Sequence, residues 1–276
     1  MSNEFRLDKY LARIGHKGAI EPNLATLAAL HAAHVDAIPF EGFDPLLGRP
    51  VNLDLASLQS KLVDNRRGGY CFEQNALFKA ALQAIGFEVT ALAGRVRWMS
   101  PPDSPLGPKT HMLLKVDLPE GAYLADVGFG ACLLDAPLKL KTEVEQPTAM
   151  GTYRLSQSDG LFWLSAKQPA TWRTMYVFDL QPQIPADYML GNWFTSTSPL
   201  VPFTSRLIME RLDRDKRYKL NNRTLLIEAR EGEVAARREL ASAGELAVVV
   251  DDIFRVALPA PAEEIFRRIE ALPTSS

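Results

Sequence analysis

The segment Arg66-Arg67-Gly68-Gly69-Tyr70-Cys71-Phe72-Glu73 sets a thiol directly after a glycine pair. Two glycines allow a tight turn, and the residues beyond them read as a helix, so Cys71 falls in a first helical turn. The positive end of the helix dipole favours a thiolate at that place. A thiolate nucleophile needs a base, and the chain has four histidines. His16 sits in a polar turn with Lys17 and Gly18. His31 and His34 stand three apart on one helix, a spacing a metal can use, but no cysteine or further histidine lies near them, so packing on that helix is the expectation. His111 opens a strand directly after a proline-rich loop, where side chains face clefts. Asp126 ends the apolar stretch Tyr123-Leu124-Ala125 and enters Gly128-Phe129-Gly130; a carboxylate there is costly unless paired. The turn Pro119-Glu120-Gly121 makes the two strands neighbours and brings His111 and Asp126 to one end of a sheet. Cys71, His111 and Asp126 then read as nucleophile, base and orienting acid. Cys132, within Gly130-Ala131-Cys132-Leu133-Leu134, has no base nearby and reads as packing. Neither a metal-ligand set nor a Walker phosphate loop is visible, and no metal is expected.

The first third of the chain, which must carry the thiol, reads helical. Phe5, Leu7, Leu11 and Ile14 mark one face, and Leu24, Leu27, Leu30, His31, His34 and Val35 repeat the pattern. Asp54 is a candidate N-cap before Leu55, Leu58 and Leu62, and a fourth helix from about residue 71 to 85 stops at Gly86. Beyond Gly86 the period becomes that of strands, at 87–98, 111–118, 122–127, 153–156, 161–166 and 172–178, with the loop Met99 to Pro108 between the first two. A small antiparallel barrel or sandwich is predicted. The last third is mixed, with a hairpin around Asn221-Asn222 and helices at 245–256 and 262–272. The class is α+β, with boundaries near residues 86 and 190.

Composition narrows the function classes. The 276 residues are 47% hydrophobic and 23% charged, which excludes disorder as the main state. With 31 Lys+Arg against 33 Asp+Glu the formal charge is −2, and a dedicated nucleic-acid binder, which shows a basic excess, is not expected. Two cysteines are too few for a disulfide scaffold, so a reducing cytoplasm is the expected location. The N-terminal residues, with Glu4, Arg6, Asp8 and Lys9, lack the apolar core of a signal peptide. The longest uncharged run, residues 188–205, contains Pro199 and Pro202 and is not read as a membrane span.

Arg67-Gly68-Gly69-Tyr70-Cys71-Phe72-Glu73, Thr110-His111 and Asp126-Val127-Gly128-Phe129-Gly130 together resemble the arylamine N-acetyltransferase family. Ile38-Pro39-Phe40-Glu41 upstream and Asn192-Trp193-Phe194-Thr195-Ser196-Thr197-Ser198-Pro199 downstream are similar to that family as well. The resemblance implies a helical bundle over 1–86, an antiparallel β-barrel over 87–190 and an α/β lid over 191–276, around a core like that of cysteine proteases. It implies transfer of acetyl from acetyl-coenzyme A to an aromatic amine or hydrazine through an acetyl-cysteine. Carried over by motif, Cys71, His111 and Asp126 are catalytic. Phe40, Phe72, Phe129 and Phe203 fall where the family lines its acyl and arylamine pocket, and Trp98, Thr110 and Gly130 where it contacts coenzyme A. Gly42 and Gln74 stand where the family often has asparagine and are read as structural.

The same triad would serve a thiol amidase, a transglutaminase-like enzyme or an amide-forming synthase, and a binding module with a vestigial triad is the non-enzymatic alternative. Arg67 and Glu41 are read as an ion pair tethering the cysteine loop. Arg211, Arg214, Lys216, Arg217, Lys219 and Arg223 are interleaved with Glu210, Asp213 and Asp215, and are read as a solvated hairpin face rather than a phosphate site. Oligomeric state is not legible.

Overall fold

Capping side chains begin the helices where the sequence places them. Asn23 accepts the Thr26 N–H at 2.9 Å at the start of Leu24–Ala37. Asp54 does the same for Leu55–Leu58 through Ser57 at 2.9 Å, and that segment continues as a wider π-type coil, Gln59–Asp64. Cys71–Ile85 ends at Gly86, whose φ of +104° suits glycine alone, with the Gly86 and Phe87 N–H groups returning to the Gln83 and Leu82 carbonyls. This computed structural model describes residues 4–101 and 103–272; Pro102 of the proline-rich loop lies outside the described residues.

Eight antiparallel strands form a barrel-like sheet in the order Leu138–Lys139, Gly121–Ala125, His111–Leu118, Glu88–Val96, Trp172–Phe178, Leu161–Lys167, Thr152–Ser158, Glu145–Pro147. The central strands are buried on both faces, and alternation decides which core each residue joins. Ala91, Ala93, Met112, Leu114 and Val116 pack against Leu27, Leu30, Leu62, Leu77, Phe78 and Leu82 of the helices. Leu92, Leu113 and Leu124 point the other way, to Tyr153, Leu155, Leu164, Met175 and Phe178. The cysteine helix is therefore wedged between a helical layer and the sheet. Pairing of Leu114 with Ala125 and of Gly94 with His111 puts His111 at the start of one strand. Asp126 is the residue just past the end of the neighbouring strand, at the same edge of the sheet. The fold is α+β.

A second sheet has five strands in the order Phe40–Glu41, Ile208–Asp213, Lys216–Asn221, Thr224–Glu228, Val234–Glu239. Ala243–Val248, its π-type continuation Val249–Ile253 with Phe254, and Ala262–Glu270 cover one face of it through Leu246, Val250, Phe254 and Ile265 against Met209, Leu220 and Leu225. Its first strand comes from the helical third, with Phe40 opposite Glu210. The expected hairpin is present. The strands Ile208–Asp213 and Val234–Glu239 and the helix Pro185–Thr197 lie outside the sequence reading. That helix occupies much of the uncharged run. Pro185 starts it, Asp187 accepts the Ile184 N–H at 3.0 Å, and the Ser196 and Thr197 hydroxyls donate to carbonyls one turn back. Among the described residues no helix is long and apolar enough to cross a membrane.

The basic hairpin departs from its expected solvated face. Arg211 and Arg217 are buried, and only Arg214 and Lys216 of the six face solvent freely. Arg217 pairs with the inaccessible Glu210 at 2.9 Å, and between them they bind both main-chain groups of Leu133, the N–H to Glu210 at 2.8 Å and the carbonyl to Arg217 at 3.1 Å. Arg211 pairs with Asp36 and donates to the Ile253 carbonyl. Removing one partner of a buried pair strands the other's charge. Arg217→Ala is expected to cost about 3–5 kcal/mol of stability, and Arg214→Ala less than about 0.5 kcal/mol, read from urea unfolding midpoints. Equal midpoints for the two variants would show that the buried pair does not brace the Leu133 segment.

Candidate active site

Close approach, rather than a tight turn, dictates the glycine pair before Cys71. Neither Gly68 nor Gly69 has a positive φ; the left-handed residue is Arg66, at +50°. Gly69 bridges Phe40, and the Glu41 N–H donates to its carbonyl at 3.1 Å. A Cβ on Gly68 would lie 2.1 Å from the Pro39 carbonyl oxygen, and one on Gly69 2.7 Å from Glu73 Oε2. Ion pairs brace this loop from behind. Arg67 holds Glu41 at 2.7 Å, as the sequence suggested, and also Asp44 at 3.2 Å. Lys61, which the sequence reading did not single out, holds Asp44 and Glu73, each at 2.6 Å. Burial pushes the Glu73 carboxyl up, Lys61 opposes that, and the Tyr70 N–H donates to it at 3.1 Å. A cleft of about 750 Å³ opens on this ion cluster, lined by Asp44, Lys61, Arg67, Glu73 and Val51; Cys71 does not line it.

Cys71, His111 and Asp126 come together in the interior. Cys71 is 5% exposed, His111 2% and Asp126 not at all. His111 Nε2 lies 2.7 Å from Asp126 Oδ2, which leaves Nδ1 for the thiol. The Cys71 Sγ lies 3.6 Å from the Thr110 carbonyl oxygen, beside His111, and its hydrogen bond with the imidazole helps retain the imidazole proton. Asp126 Oδ1 accepts from Asn75 Nδ2 and from the Gly128 N–H, both at 2.9 Å. Burial alone would raise the Asp126 carboxyl, but the His111 charge and these donors hold it below the usual carboxylate range. Burial alone would likewise lower His111, yet Asp126, by charge and hydrogen bond, pushes it up to about 10. The arrangement stores an imidazolium against a buried carboxylate, with the Cys71 sulfur on the far side.

Asn75 is the chief residue that sequence reasoning missed. Its amide donates to Asp126 and to the Met112 carbonyl at 2.7 Å, and its own oxygen accepts the Val127 N–H at 3.1 Å. The available signal was its place four residues after Cys71, on the same helix face. Tyr176 is a second, with its ring centroid 4.7 Å from that of His111. Gly128 lets the acid's segment close on the nucleophile's helix, since a Cβ there would sit 2.8 Å from Cys71 Cα.

The remaining named residues divide into two groups. Phe129 packs edge-on to His111 at 5.1 Å, and Trp98 edge-on to Phe129 at 6.2 Å, with Arg173 over the indole. On the other side, Phe203 lies 6.0 Å from Phe40 and 5.7 Å from Tyr70, whose ring meets Phe72 at 5.8 Å. Thr110 supplies the carbonyl beside the thiol. Gly130 lies against the Phe40 ring, 2.2 Å from where its Cβ would be.

Comparison with known proteins agrees with this geometry. The N-acetyltransferase family model matches residues 23–263. The chain belongs to that family. It is 43% identical to the arylamine N-acetyltransferase of Mycolicibacterium smegmatis over 224 residues, 80% of this chain and 82% of the relative. It is 45% identical to the arylamine N-acetyltransferase of Escherichia coli K12 over 203 residues, 74% and 72% of the two chains. The structure of the Mycobacterium marinum arylamine N-acetyltransferase in complex with CoA superposes with a TM-score of 0.92, at 38% identity, covering 97% of this chain and 99% of the other. The family's fold thus extends over nearly all of the chain, including the helix and strands that periodicity did not reveal.

The charged pair gives stability a definite pH dependence. His111 shifts from 6.5 unfolded to about 10 folded, so its contribution is complete below pH 6.5 and is lost as pH rises through about 10. Asp126, depressed from 3.8, contributes above that value and loses its contribution as pH falls through its lower folded value. The stability lost in Asp126→Asn is therefore expected to be largest near pH 5–6 and to shrink toward pH 10, by chemical denaturation at each pH. A deficit that is constant or grows with pH would contradict the imidazolium–carboxylate assignment.

Proposed function

We propose that the protein transfers acetyl from acetyl-coenzyme A to the nitrogen of arylamines and arylhydrazines through an acetyl-Cys71 intermediate. The observation that carries this reading is the thiol at the head of a helix, beside an imidazole whose far nitrogen is fixed at 2.7 Å on a fully buried carboxylate. The arylamine N-acetyltransferase relatives and the CoA-bound neighbour support the choice of donor and acceptor.

The reaction balances with these groups alone. Cys71 thiolate attacks the thioester carbonyl, forming the enzyme C–S bond. N–H groups of the first turn, free of partners within a helix, face the developing oxyanion. As the donor C–S bond breaks, the departing coenzyme A thiolate takes the His111 proton. The neutral imidazole next accepts a proton from the attacking amine, the C–N bond forms, and Cys71 leaves as thiolate with His111 again protonated. General-base assistance of this kind is worth about 10²–10⁴-fold. Asp126 orients the ring and stays ionised throughout.

Phe40, Phe72, Phe129 and Phe203 are assigned to the acyl and aryl groups. Trp98, Thr110 and the main chain of Gly130 are assigned to coenzyme A. Residues 1–86 supply the nucleophile, 87–190 the base and acid, and 191–276 the cover. Two free cysteines accord with a cytoplasmic location.

Acetyl-coenzyme A without acceptor is expected to add one acetyl group per chain, on Cys71, by intact mass and peptide mapping. Cys71→Ser, with its far less acidic hydroxyl, should retain the fold and lose transfer. Acetylation confined to Cys132, or full turnover with no acyl-enzyme at any time, would overturn the covalent route.

A further inference from the structure

His31 and His34 stand three residues apart on Leu24–Ala37, both inaccessible, and neither takes part in the steps above. Their hydrogen bonds fix their tautomers. The Gln74 amide nitrogen donates to the carbonyls of Pro39 at 2.7 Å, Ile38 at 3.1 Å and Gly69 at 3.2 Å. Gln74 Oε1 is therefore the acceptor facing His34 Nε2 at 2.7 Å, and that nitrogen carries the proton. The unprotonated His34 Nδ1 then accepts the Tyr10 hydroxyl at 2.8 Å. His31 Nε2 lies 3.3 Å from the Asp126 main-chain nitrogen, which can only donate, so this histidine is protonated on Nδ1. These partners leave no nitrogen pair for a metal, and among the described residues no group of three metal ligands exists.

We infer that His31 and His34 are positioning residues, a neutral imidazole on one helix face gripping the main chain of Asp126 while its neighbour, through Gln74, grips the carbonyls of Pro39 and Gly69 that frame the cysteine loop. One turn of one helix thereby sets the separation between the loop that delivers the nucleophile and the segment that delivers the acid. Burial keeps both rings neutral, pushing His31 down to about 4 and His34 to about 3. The charges facing His31 are Asp126 and Asp135, and those facing His34 are His31 when protonated and Arg13. A proton on His31 Nε2 would set N–H against N–H and release Asp126. Phe78 closes the apolar side, edge-on to both rings at 5.8 and 5.3 Å.

The inference rests on the triad reading and is tested separately from it. The single-turnover rate of Cys71 acetylation by acetyl-coenzyme A, steady-state kcat and KM, and circular dichroism would be compared for the unaltered protein, His31→Leu, His31→Gln, Asp126→Asn and the His31→Leu/Asp126→Asn double variant. His31→Leu is expected to slow acetylation about 10- to 100-fold, through kcat rather than KM, as a small misplacement of a reacting group does. His31→Gln, whose Oε1 can accept the same N–H, should recover most of the rate. Added to Asp126→Asn, His31→Leu should slow the reaction little further, because it acts through that residue. Should His31→Leu not fold, His31→Asn replaces it, since its amide is too short to reach the Asp126 N–H. A folded variant lacking the acceptor yet acetylating at the unaltered rate would overturn the inference, as would a glutamine variant as slow as leucine. If Asp126→Asn itself acetylates normally, the triad reading fails instead.

Discussion

A carboxylate with no exposure to water governs the architecture of this enzyme. Asp126 sits where a bare charge would cost many kcal/mol, and it is tolerated only because every side of it is occupied by a donor. His111 takes one oxygen; Asn75 and the Gly128 N–H take the other. Each donor belongs to a different segment. His111 comes from the adjacent strand, Asn75 from the cysteine helix and Gly128 from the loop that leads to Phe129. Satisfying one anion therefore locks together the elements that carry nucleophile, base and pocket wall. Loss of any donor would be felt by the others, since a partly satisfied buried network is less stable than a complete one.

The cysteine loop depends on the same kind of economy at a second centre. Glu41, Asp44 and Glu73 are neutralised by Lys61 and Arg67, and their backbone neighbours run so close to Pro39 that only glycine fits at position 68. The Glu210–Arg217 pair then ties the Leu133 segment to the strand that lies alongside Phe40. Charge pairs at these two places do not act at the thiol. They fix the walls against which the aromatic side chains pack.

Those parts of the fold and site that depend on chain order and local period were legible in the sequence. The short turn Pro119-Glu120-Gly121 made the His111 and Asp126 strands neighbours. The helix boundaries at Asp54 and Gly86 follow from capping chemistry. Long-range contacts were not legible. Gly68 and Gly69 looked like a turn because the approach of Pro39, some thirty residues earlier in the sequence, leaves no local trace. Arg217 and Glu210 looked solvated because interleaved charges ordinarily are; the contacts with Leu133 that bury them come from another part of the chain. The Pro185–Thr197 helix is rich in weak helix formers, and tertiary contacts stabilise it. The Tyr188 hydroxyl donates to the Leu92 carbonyl at 2.9 Å, and Asn192 bonds Tyr70 and the Val51 carbonyl.

The most direct test of this arrangement is the protonation state of each buried imidazole, read by ¹⁵N NMR of histidine-labelled protein from pH 5 to 9. His111 is expected to carry protons on both nitrogens at pH 7.5, while His31 is protonated on Nδ1 only and His34 on Nε2 only. A His111 that titrates near 6.5 like a free imidazole would contradict the charged pair on which the site is built.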